Sequence, residues 1–151
     1  MIIKELLQNI LTNQRLVIIN SNSSAFDAAV AMLKHKCGAL LVCHERKKNS
    51  LTGIITERDL TFRVIPYGLD PKETEVSEIM TKNPDTIAPN KTTIDAIKIM
   101  KSKGFRHLPV IEKNKIVGIL SMRDLYDAHS ELLQDSLNKH QEFMFGTGYG
   151  N

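Results

Sequence analysis

Hydrophobic and polar positions along the chain alternate between two signatures, short apolar runs of strand length and longer stretches with helical spacing, and their order repeats. In the C-terminal half, Thr86-Ile87 reads as a short strand ending at Pro89, and Thr92-x-x-Asp95 is a capping signature that opens a helix through Met100. Gly104 stops that helix, because glycine readily takes the left-handed conformation that a helix C-terminus wants. Two strands follow, over 107–111 and 115–120, joined by the hairpin Glu112-Lys113-Asn114, and a last helix starts at Ser121. The N-terminal half predicts the same series: a strand at 17–19, a helix over 25–34, two strands and a helix beginning at Thr56. A helix over 3–11 precedes it, and a linker containing Asn83-Pro84 joins the halves. Beyond Leu125, the spacing of Ala128, Leu132, Leu133 and Leu137 extends the last helix past the repeat, with an apolar side to cover on its own sheet or on a second copy of the chain.

The two halves align residue by residue. Ser24-Ala25-Phe26-Asp27-Ala28-Ala29-Val30-Ala31-Met32 precedes Thr92-Thr93-Ile94-Asp95-Ala96-Ile97-Lys98-Ile99-Met100 by 68 residues, and the same offset pairs Leu40-Leu41-Val42 with Leu108-Pro109-Val110. Gly53-Ile54-Ile55-Thr56-Glu57-Arg58-Asp59-Leu60 matches Gly118-Ile119-Leu120-Ser121-Met122-Arg123-Asp124-Leu125 at an offset of 65, so the first half carries three extra residues in its polar hairpin at 45–50. The predicted fold is α/β (α+β), two tandem repeats each built strand-helix-strand-strand-helix. The expected divisions are a first repeat with the N-terminal helix at 1–70, a second repeat at 71–128, and a helical extension with a glycine- and aromatic-rich tail at 129–151.

The repeated Gly-to-Asp motif is the strongest chemical signal. A capping box alone accounts for Thr56-x-x-Asp59 and Ser121-x-x-Asp124. A cap has no need of a glycine three residues earlier, nor of an arginine directly before the acid, and those extra matches point to a site. A strand running into a helix N-terminus presents free amides and the positive end of the helix dipole, which seats a phosphate. Arg58 and Arg123 add full charge, Thr56 and Ser121 offer hydroxyl donors, and Asp59 and Asp124 can accept from vicinal ribose hydroxyls. Phosphate, ribose and an apolar slot together describe a nucleotide.

Composition mostly excludes. With 42% hydrophobic and 25% charged residues the chain is an ordinary globular one, and 20 Lys+Arg against 17 Asp+Glu leave a net charge of +3 that names no partner. That balance and 5% aromatic residues argue against a nucleic-acid binder, despite the basic Lys101-Ser102-Lys103 and Arg106-His107. The apolar runs fall far short of the roughly 20 residues that cross a bilayer, and Met1-Ile2-Ile3-Lys4-Glu5 does not open a signal peptide, so the expected location is the cytoplasm. Cys37 and Cys43 read as two buried thiols on one strand face, the five histidines form no metal-ligand pattern, and no required cofactor is expected. No activated nucleophile or paired carboxylates stand beside the motifs, which argues against a small enzyme acting on a nucleotide phosphate.

Taken with Val76-Ser77-Glu78-Ile79-Met80, Asp85-Thr86-Ile87-Ala88-Pro89 and Gly104-Phe105-Arg106-His107-Leu108-Pro109-Val110, the two motifs resemble the CBS domain, named after cystathionine beta-synthase. The resemblance covers roughly 3–126 and looks like a stand-alone Bateman module. It implies two repeats packed sheet to sheet about a pseudo-twofold axis, leaving two clefts for adenosine ligands, and regulation rather than catalysis. One cleft would combine Ser121, Met122, Arg123 and Asp124 with Ile18, Ile19, Asn20 and Gly38-Ala39; the other would combine Thr56, Arg58 and Asp59 with Thr86, Ile87, Ala88 and the Arg106-His107 corner. Arg106 and His107 lie where the family often places phosphate-facing side chains, and either cleft remains open to them. Pro109 has Leu41 as its counterpart, so the two clefts are expected to differ in affinity.

The implied ligand is AMP with ADP and ATP competing, S-adenosylmethionine or NADH being further candidates, and the implied function is energy sensing. A homodimer and an unidentified regulated protein are the expected partners, with a ligand-free interaction module as the rival function. The end of the chain, Phe143-Met144-Phe145-Gly146-Thr147-Gly148-Tyr149-Gly150-Asn151, is expected to be a flexible terminus or a docking segment; its glycines are not a dinucleotide fingerprint, since no strand precedes them.

Overall fold

Four helices open on one local device. Ser24, Thr56 and Thr92 each accept from the backbone of an aspartate three residues on, while that aspartate reaches back to the capping residue's own amide. Ser121 and Asp124 do the same at the last helix. Each cap contributes about 1 kcal/mol, and at Thr92 the same hydrogen bonds hold the Asp95 carboxyl below the ordinary carboxylate range. At the far ends the chain turns left-handed, at Gly104 with φ 75° and at the equivalent Lys36 with φ 51°.

The computed structural model describes residues 1–13, 16–46 and 49–145. In chain order its elements are α1 (Ile3–Asn13), β1 (Ile18–Asn20), α2 (Ala25–His35), β2 (Ala39–Cys43), β3 (Leu51–Thr56), α3 (Glu57–Arg63), α4 (Val76–Ile79), β4 (Thr81–Lys82), α5 (Thr93–Lys103), β5 (His107–Glu112), β6 (Lys115–Ser121) and α6 (Met122–Phe145). The mixed α/β fold and the repeated order agree with the sequence reading. Two short elements, α4 and β4, were not anticipated from it. Residues 146–151 of the tail lie outside the described residues, as do Lys47 and Lys48 of the polar hairpin.

The first sheet runs β1-β2-β3-β4, with β1 parallel to β2 and the other pairs antiparallel. The second is the hairpin β5-β6, turned through Lys113 and Asn114, both at positive φ, as a two-residue connection favours. The strand expected at Thr86-Ile87 is reduced to a single parallel bridge between Ile87 and Val110. Pro89, two residues on, has no N–H with which to extend the ladder. The register nevertheless repeats, since Ile19 faces Val42 in the first half as Ile87 faces Val110 in the second.

Each half is completed by the helix that precedes the other half. Ile3, Leu6 and Leu7 of α1 are buried with Ala96, Met100, Leu108 and Leu120 of the C-terminal half. Val76 and Ile79 of α4, with Met80 just beyond it, are buried with Ala28, Leu40, Val42 and Ile55 of the N-terminal half. Main-chain bonds fix the exchange: Ile3 donates to Lys91 at 2.9 Å, and Val76 donates to Ser23 at 2.8 Å. A third cluster joins the two sheets, Leu41 and Ile54 packing with Ile116 and Ile119. Alternation along β2 therefore serves two interiors, with Leu40 and Val42 facing helices and Leu41 facing the other sheet.

The exchange explains the motif glycines. A Cβ on Gly118 would come within 2.6 Å of Leu7 Cδ2, and one on Gly53 would meet Met80 Sδ and lie 2.9 Å from the Thr81 carbonyl oxygen. The glycines that pointed to a site in the sequence instead make room for the incoming segment, Leu7 of α1 over Gly118 and the turn from α4 into β4 over Gly53. Among the described residues no helix is long and apolar enough to cross a membrane.

Gly53→Ala should destabilise more than Gly118→Ala, because a β4 carbonyl cannot yield as a leucine methyl can. The expected loss at Gly53 is about 1–3 kcal/mol, read as a fall in Tm of roughly 2–4 °C per kcal/mol. Equal or reversed losses would contradict this packing.

Candidate functional site

Sheet-to-sheet packing brings the β6–α6 junction against the start of β2, and the β3–α3 junction against the start of β5. The first meeting encloses a cleft of ≈ 730 Å³ walled by Gly38, Ala39, Glu57, Arg106, Ser121 and Asp124 among others. The second encloses ≈ 260 Å³ between Thr56, Arg58, Asp59, Arg63, Phe105 and Asp85. His107 and Arg106 border both.

At the larger cleft, Asp124 Oδ2 accepts from the Ser121 amide at 2.7 Å and from the Ser121 hydroxyl at 2.6 Å. Among the described residues Oδ1 has no hydrogen-bond or ion-pair partner. No buried side-chain oxygen there lacks a partner, so Oδ1 is open to solvent and free to accept. At the smaller cleft, Asp59 Oδ2 accepts from the Thr56 amide and hydroxyl at 2.8 and 2.9 Å. Its Oδ1 lies 3.4 Å from Arg63 Nε. In both copies the hydroxyl proton is committed to the aspartate, so neither Thr56 nor Ser121 donates outward in this arrangement.

Arg106 stands between the clefts, its guanidinium 3.2 Å from Glu57 Oε1. Glu57 reaches it because Gly38 has no side chain; a Cβ there would lie 2.5 Å from Glu57 Oε2. Arg123 is almost fully exposed and loosely paired with Asp127 at 3.8 Å. Exposed pairs of this kind contribute little to stability, so both guanidiniums are available to an anion at small cost. Burial, reinforced by Arg106, pushes the His107 imidazole below the ordinary histidine range, and Glu57 and Asp124 offset only part of this. The shift favours the neutral form of His107.

The expected set is brought together in part. Met122, Arg123, Ser121 and Asp124 share the larger cleft with Gly38 and Ala39; Thr56, Arg58 and Asp59 share the smaller with Arg106 and His107. Ile18, Ile19 and Asn20 line neither, because parallel register sets Ile18 beside Leu41, two residues past Ala39. Thr86, Ile87 and Ala88 also stand off, Ile87 lying beside Val110, and Pro109 is buried in β5 where its carbonyl accepts from Ile87. Pro84 and Asp85 take that wall instead. Sequence reasoning passed over Glu57, the variable position of the motif, and Arg63, whose signal was its i,i+4 spacing from Asp59. Cys37 is half-buried and precedes β2, so it does not share a strand with Cys43, and burial raises both thiols.

The CBS domain family matches residues 4–65 and 76–131. The mitochondrial CBS domain-containing protein CBSX3 of Arabidopsis thaliana is 34% identical over 120 residues, which is 76% of this chain and 58% of that one. An uncharacterized 17.7 kDa protein of Acidianus ambivalens is 34% identical over 135 residues, 89% of this chain and 79% of its own. Several curated relatives are longer, and the chain spans only 21% to 62% of their lengths. A CBS-domain containing protein from Agrobacterium tumefaciens superposes with a TM-score of 0.77 at 33% identity, covering 85% of this chain and 99% of that one. A Pyrobaculum aerophilum CBS domain protein complexed with AMP shares the fold at a TM-score of 0.74 and 23% identity, covering 82% and 89%. A CBS domain pair in complex with 5′-methylthioadenosine and S-adenosyl-L-methionine does so at 0.74 and 23%, covering 87% and 97%.

His107 binds a proton less readily folded than unfolded, so its contribution to stability is complete above a pH of about 6.5 and is lost as pH falls toward the folded-state value. Thermal unfolding between pH 7.5 and 5.5 should show Tm falling with pH, and His107→Gln should flatten part of that fall. Parallel curves for the two proteins would contradict a half-buried imidazole held in its neutral form.

Proposed function

Because the chain belongs to the CBS domain family and carries two of its repeats, we propose that it is a regulatory module that binds an adenine nucleotide, AMP foremost with ADP and ATP competing, in the cleft at Asp124. The observation that carries this is the free Oδ1 of Asp124. It sits at the N-terminus of a 24-residue helix, in a cleft of ≈ 730 Å³ that Arg106 and Arg123 border. A carboxylate oxygen facing solvent suits a ribose diol, since a charged acceptor strengthens each hydrogen bond. Two guanidiniums and the amides of the first turn of α6 suit phosphate. Ala39 and Ile119 supply apolar wall for a base. Solved CBS proteins of this fold hold AMP in one case and S-adenosyl-L-methionine with 5′-methylthioadenosine in another.

Binding signals only if the ligand favours one arrangement of the molecule over another. The Arg106–Glu57 pair supports one such route: a phosphate at Arg106 would compete with Glu57, which opens α3. A ligand at Asp124 bears on α6, which carries the exposed Leu133 and Leu137 away from the cleft. That side of α6 is the surface we assign to a second copy of the chain or to the regulated protein. The chain acts in this account as a sensor, not a catalyst.

Asp124→Asn, which keeps an acceptor for the Ser121 cap, should weaken AMP and adenosine alike, by roughly tenfold or more for the loss of a charged hydrogen-bond partner. Arg106→Ala should weaken AMP more than adenosine, because only AMP has a phosphate to lose. Calorimetry with the two ligands checks both; unchanged affinity in Asp124→Asn would remove the ribose role, and equal losses in Arg106→Ala would make that arginine structural.

A further inference from the structure

The two strand-to-helix junctions differ where one residue changes their chemistry. Four residues after Asp59 stands Arg63; four after Asp124 stands Ala128. Arg63 Nε lies 3.4 Å from Asp59 Oδ1, and its Nη1 donates to the carbonyls of Ile79 at 2.8 Å and Met80 at 3.2 Å. With Oδ2 already taken by Thr56, both oxygens of Asp59 are engaged from within the chain. The guanidinium is anchored on the exchanged helix α4, so it does not swing away freely. Ala128 is buried in the core of the C-terminal half and leaves Asp124 Oδ1 open. The space differs in the same sense. The Asp59 cleft holds ≈ 260 Å³, and Arg63 is one of its walls. Small-molecule sites run from about 300 to 1,000 Å³, a range that the Asp124 cleft at ≈ 730 Å³ falls within.

We propose that Arg63 is a built-in occupant of the first-repeat cleft, denying Asp59 to a ribose, so that each chain takes one adenine nucleotide, at Asp124. This rests on the nucleotide-binding function proposed for the Asp124 cleft. A neutral diol is a poor replacement for a guanidinium, because the charge-assisted contact is the stronger one. Displacing Arg63 also strips its hydrogen bonds from two carbonyls at the end of α4. The inequality between the repeats is thus written in a residue that stands outside the shared motif.

Titration calorimetry of the full chain with AMP reads the number of sites directly. The expected result is one site per chain in the wild type, weakened at least tenfold in Asp124→Asn. Arg63→Gln should gain a second site, since glutamine keeps a donor for the α4 carbonyls but withdraws charge and bulk from Asp59. The double variant should retain a single site. Two sites in the wild type, undiminished AMP heat in Asp124→Asn, or one site in a folded Arg63→Gln would overturn the closure while leaving nucleotide binding standing. No heat from any of the proteins would overturn the nucleotide function and the closure with it. Should circular dichroism show Arg63→Gln unfolded, the wild-type and Asp124→Asn site counts decide the matter alone.

Discussion

The crossing of two exchanged segments over two glycines, α1 over one and the α4–β4 turn over the other, is the constraint on which the rest of the molecule depends. Leu7 lies over Gly118 and Met80 over Gly53, so neither half can close its core without a segment that belongs, in chain order, to the other. That exchange holds the two sheets face to face, with Leu41 and Ile54 against Ile116 and Ile119. Once they are held so, the end of each central hairpin must confront the start of the other. Two clefts result from packing geometry before any ligand chemistry is considered, and the aspartates capping α3 and α6 stand at their mouths.

From that symmetric frame, single-residue differences make unequal sites. Arg63 against Ala128 decides whether an aspartate oxygen is spent or free. Glu57 against Met122 decides where a carboxylate reaches the guanidinium of Arg106. Gly38 against Arg106 decides which wall is bare backbone and which is charged. The capping boxes themselves do not discriminate, since α2 and α5 carry them too, at Ser24-Asp27 and Thr92-Asp95, which wall neither cleft. What distinguishes Asp124 is its unspent oxygen in a roomy, cationic setting.

Much of this was readable in the chain because its causes are local. Thr92, Asp95 and Gly104 delimit α5 by chemistry that acts within one turn, and Lys113-Asn114 supplies the left-handed pair of a tight hairpin. The repeat offsets carried the register across both halves. The destination of α1 was not readable, because an amphipathic pattern shows that a helix has a face to bury but not which sheet will bury it. The glycines were misread for the same reason: a requirement for space looks alike in sequence whether a ligand or a leucine fills it. Ile18 to Asn20 were placed on a cleft wall by analogy, whereas the β1–β2 register carries them past its edge. Arg63 was hidden in plain view, a routine i,i+4 pair until the α4 carbonyls and the cleft around it were known.

The central claim is that Asp124 holds a ribose diol through the oxygen its own cap leaves free. It is tested most directly by a cycle in which AMP and its 2′,3′-dideoxy form are each titrated into the wild type and Asp124→Asn. The dideoxy nucleotide should bind wild type at least tenfold more weakly than AMP, and the two ligands should bind Asp124→Asn alike. The same ratio in both proteins would mean that Asp124 and the diol do not meet.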